Sequence, residues 1–186
     1  MRYDELQKQI LTELDRTLSG IDSGSMDILQ NLILSAKRVY IAGAGRSGLM
    51  ARGFAMRLMH MGITAYVVGE IITPAIGKGD LLLIASGSGE TASLVSMAKK
   101  ARSLGAKLAL VTIFPESTIG KMADASLKIP APTPKSSLEN SAASIQPMGS
   151  LFEQSLMLTL DTLVMMLMEK LNLTSDEMFK MHANLE

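Results

Sequence analysis

The sequence predicts an α/β fold: a three-layer αβα sandwich around a five-stranded, doubly wound parallel sheet. Three observations predict it. Five short apolar runs alternate with stretches of helical periodicity, the pattern of strands buried on both faces beneath covering helices. Two of those runs empty into glycine- and hydroxyl-rich turns, Gly43-Ala44-Gly45-Arg46-Ser47-Gly48 and Ser86-Gly87-Ser88-Gly89-Glu90-Thr91, each just before a helical pattern. The chain has 186 residues, 47% of them hydrophobic, enough to bury a full core, so residues 1–186 are read as a single domain. Right-handed crossovers between parallel strands then give the doubly wound arrangement.

The elements follow in order. N-terminal helices occupy 3–36. The first, over 3–18, carries Leu6, Ile10, Leu14 and Leu18 at helical spacing, and Ile21-Asp22-Ser23-Gly24 interrupts the pattern. The second, from about residue 25 to 36, turns Met26, Leu29, Leu32 and Ile33 to one face. The βα core spans 38–130. It reads as a strand at 39–42, a helix at 47–61 closed by Gly62, and a strand at 64–68 followed by a loop around Pro74. A strand at 81–85, a helix at 92–104 stopped by Gly105, a strand at 107–113, a short helix at 117–122 and a last strand at 126–129 complete it. Residues 130–147, rich in Pro, Ser, Ala and Asn without a period, form a long loop. C-terminal helices fill 148–182: a long one at 148–171 and a short one from Thr174, where Thr174-Ser175-Asp176-Glu177 supplies capping residues.

Composition excludes several function classes. Lys plus Arg and Asp plus Glu number 18 each, so no net charge steers the chain to nucleic acid or to a membrane surface. Aromatics are scarce and Trp is absent, which removes the stacking platforms of a nucleic-acid binder. Without Cys there are no disulfides, thiolate metal sites or thiol nucleophiles, and with only His60 and His182 no metal site is expected. The N-terminus opens an amphipathic helix, not a signal peptide. The longest apolar stretch, 155–168, contains Asp161 and is shorter than the roughly 20 residues of a bilayer span. A soluble, cytoplasmic protein with no membrane partner is expected.

The long C-terminal helix shows almost no polar face: Leu151, Phe152, Leu156, Leu160, Leu163, Val164, Met165 and Leu167 stand among many others. A surface helix needs a polar stripe. A second copy of the chain is the expected cover, the alternative being a central core helix in a monomer.

The two turns carry the chemistry. A strand that ends in Ser and Gly at a helix N-terminus makes an anion site, because the first helical N–H groups are unpaired and the macrodipole is positive there. Ser86, Ser88 and Thr91 add hydroxyls, Gly87 lets the backbone approach a guest, and Ser47 and Arg46 stand in the first turn to meet a phosphate or sugar oxygen. The second turn lacks the Lys-Ser/Thr ending of a P-loop. The first can be read as a degenerate dinucleotide fingerprint, but no acidic residue stands within 64–68 to hold a ribose. Both can also be ordinary strand-to-helix turns. Glu153 stands near the start of the apolar helix, where desolvation makes a carboxylate a stronger base; a macrodipole role or a salt bridge to a partner subunit is the alternative. His60 ends a helix and His182 lies near the C-terminus, so either can be a site residue or a simple helix-end or solvated His.

These two turns together resemble the sugar isomerase (SIS) fold, a flavodoxin-like doubly wound sheet whose members bind phosphosugars. Three segments are similar, more narrowly, to the 6-phospho-3-hexuloisomerases: Ala55-Met56-Arg57-Leu58-Met59-His60, Pro147-Met148-Gly149-Ser150-Leu151-Phe152-Glu153-Gln154 and His182-Ala183-Asn184-Leu185-Glu186. The resemblance implies that Ser86, Gly87, Ser88, Thr91 and Ser47 seat the phosphate and that Glu153 is the base, with His182 a second catalytic candidate. Arg46 and His60 remain substrate-contact candidates. It also implies interconversion of D-arabino-3-hexulose 6-phosphate and fructose 6-phosphate in formaldehyde fixation by the ribulose monophosphate route, with no cofactor and no metal. The family's members are tetramers, which implies a homo-oligomer through the 148–171 helix.

Overall fold

The computed structural model describes residues 2–132 and 143–185. Its centre is a five-stranded, all-parallel sheet: β1 (Val39–Gly43), β2 (Ala65–Val67), β3 (Leu81–Ala85), β4 (Lys107–Thr112) and β5 (Ala125–Lys128), in the order β2-β1-β3-β4-β5. Around it stand α1 (Tyr3–Ser19), α2 (Ser23–Ser35), α3 (Gly45–His60), α4 (Ala92–Ser103), α5 (Ser150–Leu171) and α6 (Ser175–Phe179). The central part of the expected 130–147 loop lies outside the described residues.

Side chains alternate across each strand, so the sheet feeds two cores. Val39, Ile41, Leu81, Leu83, Ala109, Val111 and Leu127 face the larger one, which α2, α3 and α5 complete with Leu29, Ile33, Phe54, Leu58, Leu156, Leu160 and Leu163. Tyr40, Ala42, Leu82, Ile84, Leu108 and Leu110 face the smaller one, closed by Leu94, Ala98 and Ala101 of α4 and by Ile119. This is the expected three-layer sandwich.

Several boundaries differ from the sequence reading, each for a local reason. α2 begins at Ser23 because the Asp22 carboxylate accepts the Ser25 N–H at 2.7 Å and caps the helix early. The expected 117–122 helix shrinks to a single 3-10 turn, Gly120–Met122: the Thr118 N–H donates to Glu90 of the neighbouring turn, and Ser117 Oγ accepts the Gly120 N–H. The loop expected around Pro74 is present: residues 68–80 join β2 to β3 without a helix, pinned where Thr73 Oγ1 donates to Val67 O (2.6 Å) and Tyr40 Oη donates to Ala75 O (3.0 Å).

α5 has the length and composition of a membrane span, where the 155–168 stretch was expected to fall short of one, yet half of its most apolar part is buried inside the fold. It is a core helix on one face, through Leu151, Phe152, Leu156, Leu160, Leu163 and Leu167. Its other face mixes Asp161 and Thr162 with the exposed Met157 and Met165, the latter 70% exposed. The expected all-round burial is therefore met on one side within the chain.

Candidate active site

β1 and β3 are neighbours, with Gly43 opposite Ala85 at their carboxyl ends. The chain leaves β1 for α3 on one sheet face and leaves β3 for α4 on the other. The strand order reverses at this point, and ligands of open α/β sheets bind in such a crevice. Both glycine-rich turns open there.

The first turn is tight for a packing reason. A Cβ on Gly43 would stand 2.9 Å from Gly48 Cα, so the strand end and the first turn of α3 touch backbone to backbone. Gly43, Gly45 and Gly48 stand at the full spacing of a dinucleotide fingerprint, not a degenerate one, but Gly43 and Gly48 serve strand–helix packing, Gly45 supplies a φ of 56°, and Glu70, the first acid after β2, is paired with Arg52. α3 begins at Gly45, two residues ahead of expectation, which puts Arg46 and Ser47 in its first turn.

In the second turn Ser86 is buried and its Oγ accepts the Gly89 N–H at 3.1 Å, while Ser88 Oγ accepts the Glu90 N–H at 3.2 Å. Thr91 is the N-cap residue of α4. The first N–H groups of α4 have no acceptor within the helix, which leaves them for an anion. A hollow of about 550 Å³ lies beside this turn, lined by Ser88, Glu90, Thr91, Phe114, Glu116 and Ser117. Glu90 is held by the segment across the hollow: its Oε1 accepts the Thr118 N–H at 2.6 Å, and hydrogen bonding from Thr118 keeps its carboxyl below the usual range.

Glu153 stands in the first turn of α5, its side chain 17% exposed. Two contacts bring it to the turns. Arg46 Nη1 donates to Ser150 Oγ at 3.0 Å and lies 3.2 Å from Glu153 Oε2. Phe152, the residue before Glu153, lies against Gly87: a Cβ there would be 3.2 Å from the ring. The carboxylate is thus mostly withdrawn from water and paired with a guanidinium of its own chain, not of a partner subunit. Arg46, half-exposed, keeps donors free for a further oxygen.

The structure brings Arg46, Ser47, Ser86, Gly87, Ser88, Thr91 and Glu153 to one end of the sheet. It places His60 and His182 elsewhere in the chain. Fourteen residues of α3 separate His60 from Arg46, roughly 21 Å at about 1.5 Å per residue. The two imidazoles stack on each other, centroids 5.5 Å apart, and Phe179 stacks on His182. Burial, with the Arg57 charge and His182 beside it, pushes His60 below its ordinary value. Sequence reasoning did not find Phe114, Glu116 and Ser117. The Ser117-Thr118-Ile119-Gly120 string after β4 was the available signal, a third hydroxyl-and-glycine turn at the same end of the sheet.

The SIS domain model matches residues 32–158. A 3-hexulose-6-phosphate isomerase of Bacillus subtilis is 52% identical over 186 residues, covering all of both chains. One of Mycobacterium gastri is 42% identical, covering 94% of this chain and 86% of its own. A Methanococcus jannaschii crystal structure, from which a 3-hexulose-6-phosphate isomerase function was inferred, superposes with a TM-score of 0.81 at 34% identity, covering 98% of each chain. The chain belongs to the SIS-domain family and, within it, to the group of the 3-hexulose-6-phosphate isomerases.

Proposed function

We propose that the chain interconverts D-arabino-3-hexulose 6-phosphate and fructose 6-phosphate with Glu153 as the proton carrier. The observation that carries this reading is the Arg46 bridge to Ser150 and Glu153, which sets a largely buried carboxylate beside two hydroxyl-lined turns at one sheet end. Ser86, Ser88, Thr91 and Ser47, with the N–H groups of α4, hold the phosphate, so that binding energy at the far end of the sugar orients the reacting carbons. Glu153 takes the proton from C2 of the hexulose and the C2–C3 enediolate forms. The hydroxyl proton passes from O2 to O3, and Glu153 returns its proton to C3, leaving the carbonyl at C2. No electrons leave the substrate. The free donors of Arg46 face the oxygen on which charge develops.

His182 and His60 join this reading only through a neighbouring protomer. The apolar side chains left exposed on α3 and α5 (Leu49, Met56, Met157 and Met165) support a homo-oligomer, a tetramer, built through these helices. A place in the cytoplasmic ribulose monophosphate route of formaldehyde fixation follows from the reaction.

Glu153→Gln tests the base. The variant is expected to keep its circular dichroism and its affinity for fructose 6-phosphate while kcat falls about 10²–10⁴-fold. Proton NMR in deuterated water should show no solvent deuterium entering C3 of fructose 6-phosphate. Turnover equal to the parent's would remove Glu153 from the mechanism.

A further inference from the structure

α1 presents an anomaly. The residues it buries are polar, Glu13 and Thr17, while Leu11 on the same helix is 59% exposed. A buried carboxylate is retained at a cost unless every lone pair it turns inward is used. Here they are used on one short segment more than 130 residues away. Glu13 Oε1 accepts the Ile145 N–H at 2.8 Å, and Oε2 accepts the Ser144 hydroxyl at 2.7 Å and the Gln146 side-chain amide at 3.0 Å. Ser144 Oγ in turn accepts the Gln146 N–H at 3.0 Å. Burial would raise the Glu13 carboxyl, but the three donors and Arg16 outweigh it and hold it below the ordinary range, so it stays ionised at neutral pH.

What this anchor controls is the next turn. Between Gln146 and α5 stand only Pro147, Met148 and Gly149. Met148 is left-handed, φ 57°, a conformation costing a non-glycine residue on the order of 1–2 kcal/mol. Its side chain is 86% exposed and cannot hold it there. The hold comes from either side: upstream from Glu13, downstream from the Ser150 N–H, which donates to Pro147 O at 3.2 Å. The turn bears directly on the site. The Glu153 N–H donates to Gly149 O at 3.0 Å, and Glu153 Oε1 lies 3.7 Å from where a Cβ on Gly149 would stand. Ser150, the first residue of α5, receives Arg46.

We propose that Glu13 is a positioning residue for the isomerisation: it clamps residues 144–146 to α1 and so fixes the 147–149 turn that aims Glu153 and Ser150. The proposal rests on the reading of Glu153 as the base. It assigns a function to a helix that contributes nothing to the phosphate turns.

The test uses the full chain, with fructose 6-phosphate as the calorimetric probe to count binding sites, and reads turnover per counted site. Glu13→Ala is expected to lower kcat about 10- to 100-fold, the scale of an ångström misplacement, with fructose 6-phosphate affinity held within about twofold. Glu13→Gln is expected to restore most of the turnover, because Gln146 can flip its amide and Ser144 can rotate its hydroxyl to accept from the new NH₂ group. Parent-like turnover per site in Glu13→Ala, or a fall in affinity that matches the fall in turnover, would overturn the proposal. If Glu13→Ala does not fold, the double variant Ser144→Ala/Gln146→Ala withdraws two donors from the other side. The same split is expected there, and parent-like turnover would be equally fatal. Glu153→Gln run in parallel separates the failures: turnover lost there but kept in Glu13→Ala sinks the positioning role alone, whereas turnover kept in Glu153→Gln sinks the base.

Discussion

Gly89→Ala probes how the second turn is braced. Gly89 sits at φ 62°, and a Cβ there would collide with Ser117 Oγ and stand 2.5 Å from Ser117 Cβ. The left-handed backbone alone costs an alanine about 1 kcal/mol. The collision adds to it, because Ser117 has nowhere cheap to go. It is buried, its Oγ accepts the Gly120 N–H at 3.3 Å, and the Ile119 N–H donates to Gly89 O at 3.2 Å, so parting the two turns breaks their own bonds. Overpacking of this kind costs about 1–3 kcal/mol. The sum, about 2–4 kcal/mol, lowers Tm by roughly 4–16 °C in a chain of this size. Urea titration and thermal melting at fixed protein concentration measure it. Ser117→Gly removes both colliding atoms, so Gly89→Ala/Ser117→Gly should retain only the backbone cost, with a coupling of about 1–3 kcal/mol in the double-mutant cycle. The KM for fructose 6-phosphate should rise in the single variant, since Ser88 and Thr91 line the same hollow. Additive effects in the cycle, or a Gly89→Ala cost below about 0.5 kcal/mol, would refute the bracing.

Two further predictions concern titrating groups. Asp80 is 1% exposed and accepts Arg38 through Nε (2.9 Å) and Nη2 (2.7 Å) and the Gly77 N–H (2.8 Å). Burial would raise its carboxyl, but these donors hold it below the ordinary 3.8. Asp80→Asn should cost about 2–3 kcal/mol at neutral pH, toward the lower end because Arg38 is 36% exposed. A depressed carboxyl stabilises fully above 3.8 and loses that contribution as pH falls through its lower folded value, so urea curves of parent and variant should converge in acid. His60 is depressed too, and as a base it stabilises while neutral. Its contribution is complete above 6.5 and is lost as pH falls through the lowered value, where it charges against Arg57 and His182. Proteolytic cleavage after α6 should therefore quicken between about pH 7.5 and about pH 5.5 in the parent and not in His60→Phe; equal pH dependence in both would count against it.

The layers and the two glycine-rich turns at the sheet's carboxyl end were legible because their signals are local. A run such as Leu81 to Ala85 has one use when glycine and serine follow it. Glu153 was legible as an acid in apolar company, but its partner was not: Arg46 lies more than a hundred residues away, and nothing local says that α3 begins early enough to turn it toward α5. Ser117 was invisible for the same reason, being a contact between two turns and not within either. Glu13 is not legible, because the spacing of Leu6, Ile10, Leu14 and Leu18 puts a glutamate at 13 among the solvated charges, and only the returning chain makes it buried. The α5 pattern was read as apolar on every side; the fold uses one side and leaves Met157 and Met165 outward.

That late return has a cost during biosynthesis. The wall that α5 gives the larger core, from Leu151 and Phe152 through Leu156, Leu160 and Leu163 to Leu167, is complete only about 110 residues after α3 ends. At about 5–20 residues per second the ribosome needs roughly 6–22 seconds to cover that gap. Throughout it the nascent chain carries Phe54 and Leu58 with no lid of their own, long enough for a holdase to find them. Such a polypeptide commits to its native state only once α5 has left the exit tunnel.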